Sequence, residues 1–195
     1  MPTTRRTSST RFALLGLLSL GSASGYDLKR RADGSIGHFW SESYGQIYPE
    51  LKRLQEERLV TCEVARSRTP GKPARAEYSI TAEGRKVLRD WLVIPPRAEP
   101  FRSELLLKLF FGGESTNEVS AAHVRRMRDL ERKRLAHYGA LEHQLKSRYA
   151  RAAGLSWWLT TLSYGRYRSQ SIVDWADETL KRLAANPPRP KRRAS

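Results

Sequence analysis

The 195-residue sequence predicts a mainly α-helical protein with one small β element, organised as two domains. Three observations carry this expectation. Apolar residues recur at helical spacing through most of the chain, and strand-like alternation is confined to residues flanking the turn-rich segment Ser67–Ala74. Near the middle, Val93-Ile-Pro-Pro-Arg-Ala-Glu-Pro100 holds three prolines, each of which removes a backbone donor and restricts its predecessor. The expected layout is therefore a disordered basic arm over 1–11, a first domain over 12–94 and a Pro-rich linker over 95–100. An α-helical domain over 101–185 and a disordered basic tail over 186–195 complete it.

The first domain reads as helix, helix, helix, strand, turn, strand, helix. Phe12 to Leu20 is almost wholly apolar and so belongs at the centre of a core. Arg5, Arg6 and Arg11 before it and Gly21 to Gly25 after it imitate a secretory signal peptide. A winged core that cannot fill without this helix argues against cleavage. Ser24 can cap a second helix running to about Arg31, with Tyr26 and Leu28 as core candidates, and Gly34 and Gly37 punctuate the linker after it. Ser43-Tyr-Gly-Gln46 has the form of a capping box, after which Ile47, Leu51 and Leu54 recur at helical spacing. Pro49 argues for a start two or three residues later than the box, since an interior proline costs about 3 kcal/mol. Strands at Thr61–Arg66 and around Tyr78 and Ile80 form a hairpin projecting Arg66, Arg68, Lys72 and Arg75. Thr81 caps a helix with Val87, Leu88, Trp91 and Leu92 on one face.

The second half reads as all helix. Ser103 to Phe111 is a short apolar helix stopped by Gly112-Gly113, residues suited to a left-handed exit. Ser115-Thr-Asn-Glu118 is a second capping box, opening a helix to about Ala152 whose stripe is Val119, Val124, Met127, Leu130, Tyr138, Leu141, Leu145 and Tyr149. Leu155, Leu159, Leu162, Ile172, Trp175, Thr179 and Leu183 mark a third helix, antiparallel to the second. Long striped helices without a sheet to cover call for a partner subunit.

Charge and composition narrow the function. The formal net charge is +16, which suits a polyanionic partner, and the two tails carry +7 of it. Residues 12–94 and 95–184 are not basic throughout. The single cysteine, Cys62, excludes an intrachain disulfide and a C-x-x-C knuckle, and its place on a strand suits a small core residue. His38, His123, His137 and His143 lack metal-ligand spacing, and no G-x-S-x-G, P-loop or G-x-G-x-x-G motif occurs. The sequence therefore predicts neither an enzyme nor a cofactor, and no 18-residue apolar run spans a bilayer.

Three helices followed by a hairpin form a winged helix-turn-helix, whose third helix enters the DNA major groove while the wing touches the backbone. With Ile47, Leu51 and Leu54 turned inward, Gln46, Tyr48, Pro49, Lys52 and Arg53 are left toward DNA. Glutamine suits adenine edges, and Lys or Arg suits guanine or phosphate. The structural alternative places Tyr48 in the core and makes Lys52-Arg53 a solvated face. Lys72 and Arg75 belong to a Pro-stiffened wing.

Phe12-Ala-Leu-Leu-Gly-Leu-Leu18, Ser24-Gly-Tyr-Asp-Leu28, Gln46-Ile-Tyr-Pro-Glu-Leu-Lys-Arg-Leu54, the Lys72-to-Tyr78 wing and Thr81-Ala-Glu-Gly84 together resemble the PadR family of bacterial transcriptional regulators. Trp158-Leu-Thr-Thr-Leu162 and Trp175-Ala-Asp-Glu-Thr-Leu180 resemble the larger C-terminal dimerisation domain of one subfamily, so the resemblance spans roughly residues 12–185. It implies that Tyr48, Lys52, Lys72 and Arg75 face double-stranded DNA, with Gln46 also at the interface. It further implies a cytoplasmic homodimer that represses from a palindromic operator until a small aromatic ligand loosens it. Trp157, Trp158, Tyr164, Tyr167 and Trp175 are then candidates for lining a ligand pocket, against the alternative of helix packing and dimer core. Two departures stand out. Arg58 occupies the usual glycine position after the recognition helix, and Gln46 the place of a small hydroxyl residue. The alternatives to a regulator are a protein-interaction adaptor and a nonspecific nucleic-acid-binding protein on the same scaffold.

Overall fold

The computed structural model describes residues 9–65, 75–96 and 101–185. The chain divides into two compact units, Met1–Ala98 and Glu99–Ser195. In the first lie α1 (Ser9–Ser19), β1 (Ala23–Ser24), α2 (Gly25–Ser35), α3 (Tyr44–Glu56), β2 (Val60–Ala65), β3 (Arg75–Ile80) and α4 (Ala82–Leu92). The second holds α5 (Glu104–Phe110), a 3-10 turn at Gly112–Glu114, α6 (Asn117–Arg148) and α7 (Leu155–Ala185). The protein is thus mainly helical with a small antiparallel sheet, as its sequence predicts.

In the first unit α1 is buried on almost every side, with Leu14, Leu15 and Leu18 closed to solvent against Leu28, Ile47, Leu51 and Leu54. Its first turn begins earlier than the sequence indicates. Ser9, Thr10 and Arg11, assigned above to the basic arm, are helical because Thr10 donates to Glu42 and Arg11 ion-pairs with Glu50 and Glu57. Residues 1–8 and 186–195 lie outside the described residues. Gly21, at φ 139°, turns the chain into β1, a two-residue strand the sequence did not signal. It pairs with β3, giving the sheet order β1-β3-β2, with Cys62 opposite Tyr78 and Val60 opposite Ile80.

Caps set several helix starts. The Ser24 hydroxyl accepts from the Asp27 N–H, and Thr81 Oγ1 from the Gly84 N–H. Helix α2 continues past Arg31 through Gly34 to Ser35, and Tyr26 is exposed rather than in the core, because the helix turns Leu28 and Ala32 inward instead. Helix α3 starts at the capping box and not later. Gln46 Oε1 accepts both the Ser43 N–H and the Ser43 hydroxyl at 2.9 Å, and Pro49 is tolerated in the second turn. The helix ends in a Schellman motif: Leu59 N–H reaches the Leu54 carbonyl at 2.9 Å and Arg58 N–H the Gln55 carbonyl at 3.0 Å. Arg58 takes the left-handed position at φ 60° without being glycine, at a cost of about 1–2 kcal/mol. Arg58→Gly is accordingly expected to stabilise the protein by about 1 kcal/mol. A thermal melt should show a raised midpoint, and an unchanged or lowered one would remove the strain.

In the second unit α6 and α7 form an extensively packed helical pair. The turn before them differs from expectation. Neither Gly112 nor Gly113 adopts positive φ, so α5 stops in a 3-10 turn, and the cap of α6 is Thr116, whose hydroxyl accepts from the Val119 N–H, rather than Ser115. The buried positions of α6 include Val124, Glu131 and Tyr138, seven residues apart, while Val119, Leu130 and Tyr149 are exposed. Glu131, 1% exposed, accepts from Ser169 Oγ of α7 at 2.6 Å and pairs with Arg134. Gly165 of α7 lets the Tyr138 ring lie where its own Cβ would stand, 2.9 Å away. Arg128 and Arg132 both reach Asp177, which holds that carboxyl below the usual range.

Candidate nucleic-acid interface

Helix α3 has two chemically distinct faces. Ile47, Glu50, Leu51 and Leu54 are buried, whereas Gln46, Tyr48, Pro49, Lys52 and Arg53 are exposed, the division expected for a helix that seats one stripe in a core. Lys52 is 80% exposed and only 4.0 Å from Glu56, a loose surface pair that leaves the ammonium available to an anion. Arg53 is more constrained, because its guanidinium lies 3.2 Å from Glu50, itself bound by Arg11 at 3.2 Å. Sequence reasoning missed this network. The signal was present, since a glutamate at position 50 falls on the apolar stripe, where a buried charge requires partners.

Gln46 is exposed, but its carbonyl oxygen is occupied by the cap of its own helix. Reading an adenine bidentately needs that oxygen together with the amide nitrogen, so such readout would open the capping box. The Tyr48 ring is 49% exposed and lies against Gly25 at the start of α2, where an added Cβ would meet ring atom Cε1 at 2.6 Å. Three tyrosine rings form a row: Tyr26 to Tyr44 at 6.5 Å with 10° between planes, and Tyr44 to Tyr48 at 6.3 Å with 21°. The Arg30 guanidinium sits 6.0 Å from the centre of the Tyr26 ring. Neither Tyr26, Tyr44 nor Arg30 was marked as an interface residue from sequence. Behind the row, the Tyr78 phenol is pushed up by burial and then by neighbouring Cys62 and Tyr48, which favours its neutral, donating form.

The wing strands β2 and β3 pair from Val60–Ile80 to Ala65–Arg75. Arg75 is therefore placed by its backbone at the far end of the hairpin, whereas Arg66, Arg68 and Lys72 lie outside the described residues.

The aromatic residues suggested for a ligand pocket are not gathered within the second unit. Trp157, Tyr164 and Tyr167 are exposed on α7, Trp158 packs edge-on against Tyr149 at 5.8 Å, and Trp175 is half-buried. An open groove of about 450 Å³ in this unit is lined instead by α5, the turn after it and the start of α6, among them Leu107, Lys108, Phe111, Val119 and His123. No helix among the described residues is long and apolar enough to cross a membrane, and no cluster of three metal-ligating side chains occurs among them.

Comparison with known proteins covers both units. Residues 14–90 match the transcriptional regulator PadR-like family, and residues 101–184 match the virulence activator alpha C-terminal domain. The negative transcriptional regulator PadR of Bacillus subtilis is 31% identical over 87% of this chain and 94% of its own length. Its crystal structure in complex with operator DNA superposes with a TM-score of 0.78 at 27% identity, covering 90% of this chain and 99% of that one. The same protein in complex with p-coumaric acid gives a TM-score of 0.72 at 26% identity, covering 91% and 99%. The Vibrio cholerae virulence activator AphA gives 0.71 at 29% identity, covering 90% and 98%. With a winged helix and a long-helix second unit both matched in order along one chain, the protein belongs to the PadR family of transcriptional regulators, which are not enzymes.

Proposed function

We propose that this chain is a sequence-specific, homodimeric DNA-binding repressor that acts in the cytoplasm on a palindromic operator and is released by a small aromatic ligand. The observation that carries the reading is the outward face of α3, where Tyr48, Pro49 and Lys52 stand clear of a core that the same helix fills from its other side. Lys52 supplies phosphate or guanine contact, Tyr48 an apolar face and a hydroxyl, and Arg53 a guanidinium steadied by Glu50. Gln46 contributes its amide nitrogen, and Lys72 and Arg75 of the wing hold flanking phosphates. Repression, operator DNA and an aromatic acid are what the Bacillus subtilis relative is described with.

Support for a dimer comes from α7. At about 100° per residue, Trp157, Tyr164 and Trp175 share one face, roughly 120° from the residues that α7 buries against α6. A row of large aromatics on such a face suits a second copy of the chain, and two-fold symmetry would present two α3 helices to a palindrome. Trp157, Tyr164 and Trp175 would then meet the partner subunit to complete an aromatic ligand pocket, with Trp158 turned toward Tyr149 instead.

The reading is tested by fluorescence anisotropy on the duplex upstream of the chain's own gene and on a scrambled duplex. Lys52→Ala should weaken binding to both by about tenfold, as expected for loss of a charge-assisted contact, while sedimentation shows the same oligomer. Gln46→Ala should narrow the preference between the two duplexes, and p-coumaric acid should release the upstream one. Undiminished affinity in Lys52→Ala would remove the outward face of α3 from the interface.

A further inference from the structure

We propose that the first turn of α3 reads base edges as a hydrogen-bond donor only. Gly45 admits the edges, and Gln46, its oxygen held by the cap, presents its amide N–H groups alone, selecting guanine or thymine over adenine and cytosine. This rests on the DNA-binding reading of α3 and names the base chemistry of that surface. The amide orientation follows from its partner, since the Ser43 N–H is a donor and only the oxygen of Gln46 can accept it, at 2.9 Å. The Ser43 hydroxyl reaches the same oxygen. Among the described residues the amide nitrogen of Gln46 has no hydrogen-bond partner, and the residue is exposed. A glutamine using both amide atoms suits adenine, which offers an acceptor at N7 beside a donor at N6. With the oxygen committed, that N6 amine would face another donor. Guanine offers O6 and N7, both acceptors, and thymine offers O4, whereas cytosine offers only its N4 amine.

Gly45 supplies an independent observation. At about 100° per residue it lies opposite the buried stripe of Ile47, Leu51 and Leu54, between Tyr48 and Gln46. The fold does not require a glycine there: an added Cβ would meet only the Ser43 hydroxyl oxygen, 3.7 Å away, and φ is not positive. Alanine would favour the helix. What a missing side chain offers at such a place is close approach of another surface. The N-terminal turn of a helix lying in the major groove is where base edges come nearest.

The test selects duplexes from a random-sequence pool with the full chain and with its variants, beside thermal melts of each. The base whose preference disappears in Gln46→Ala should be guanine or thymine in the parent's selected sequence. Gln46→Glu retains the capping box, so it should melt no lower than the parent. It also places a carboxylate oxygen where the amide nitrogen stood, so the same position should switch to cytosine, whose N4 amine that oxygen accepts. Gly45→Ala should melt no lower than the parent yet bind the selected duplex about tenfold more weakly, a split that a purely structural glycine would not produce. Three results would overturn donor-only reading: no position that depends on Gln46, adenine or cytosine at that position, or a Gln46→Glu selection matching the parent's. Parental affinity in Gly45→Ala would overturn the part given to Gly45. In each of these cases an enriched parent sequence leaves the DNA-binding reading of α3 standing. A parent chain that enriches no sequence would overturn that reading and this inference with it.

Discussion

Gly84→Ala is expected to destabilise the first unit by about 3 kcal/mol, at the upper end of what overpacking costs. Gly84 lies one turn into α4, where that helix abuts the end of the segment after α3. A Cβ there would stand 2.1 Å from the Leu59 carbonyl oxygen, 3.1 Å from the Leu59 carbonyl carbon and 2.9 Å from Ile80 Cγ1. Two of those three neighbours are backbone and cannot swing away. The same Leu59 carbonyl accepts the Thr81 N–H at 3.0 Å and the Thr81 hydroxyl at 3.1 Å, so a displacement would also loosen the cap of α4. Thermal denaturation should lose more than about 10 °C, since each kcal/mol moves the midpoint of a unit of this size by about 4–8 °C. An alanine variant melting with the parent would show that α4 does not seat on Leu59.

Leu15→Ala is expected to cost about 2–5 kcal/mol, the range for emptying a closed leucine site. Leu15 is fully buried in the middle of α1, the helix that packs against α2, α3, α4 and β3. The cavity is bounded by secondary structure on several sides and so cannot collapse easily. Because folded domains retain only about 5–15 kcal/mol, such a loss threatens the unit that carries α3. Denaturant titration should show a lower midpoint with a similar slope, together with weakened DNA binding at temperatures where the variant is partly unfolded. An unshifted midpoint would mean that α1 is dispensable to the fold of this unit.

These two positions also show where sequence was sufficient. The run from Phe12 to Leu18 is apolar on nearly every side, and only a surrounded helix accommodates that pattern, so its place in the core was legible, whereas Leu20 lies beyond the end of α1 and is 61% exposed. Thr81 and Ser24 were legible because capping chemistry is local, and the Ser43 to Gln46 box was legible as a motif although Pro49 pointed to a later start. Arg58 was legible as a departure: either a left-handed arginine or a different turn was required, and the structure has the former.

What escaped was set by contacts distant in sequence. Helix α6 was read by choosing its hydrophobic residues, which placed Leu130 inside, yet the residue facing α7 is Glu131, satisfied by Ser169, 38 positions away. Glu50 is the parallel case in the first unit, buried because Arg11 reaches it from α1. The tyrosine row needed the crossing of α2 and α3, since Tyr26 and Tyr44 are 18 residues apart and become neighbours only once the two helices pack. Gln46 was recognisable both as a cap and as a base reader, and only the geometry shows its oxygen committed to the cap.

Whether α3 presents this protein to DNA is decided by binding of the unmodified chain to the duplex upstream of its own gene, beside a scrambled duplex, across a salt series. Tight binding to the native fragment that persists near physiological salt is expected, with the scrambled duplex released at lower salt. Equal binding to both duplexes, abolished together as salt rises, would contradict it and reduce the net charge of +16 to nonspecific attraction.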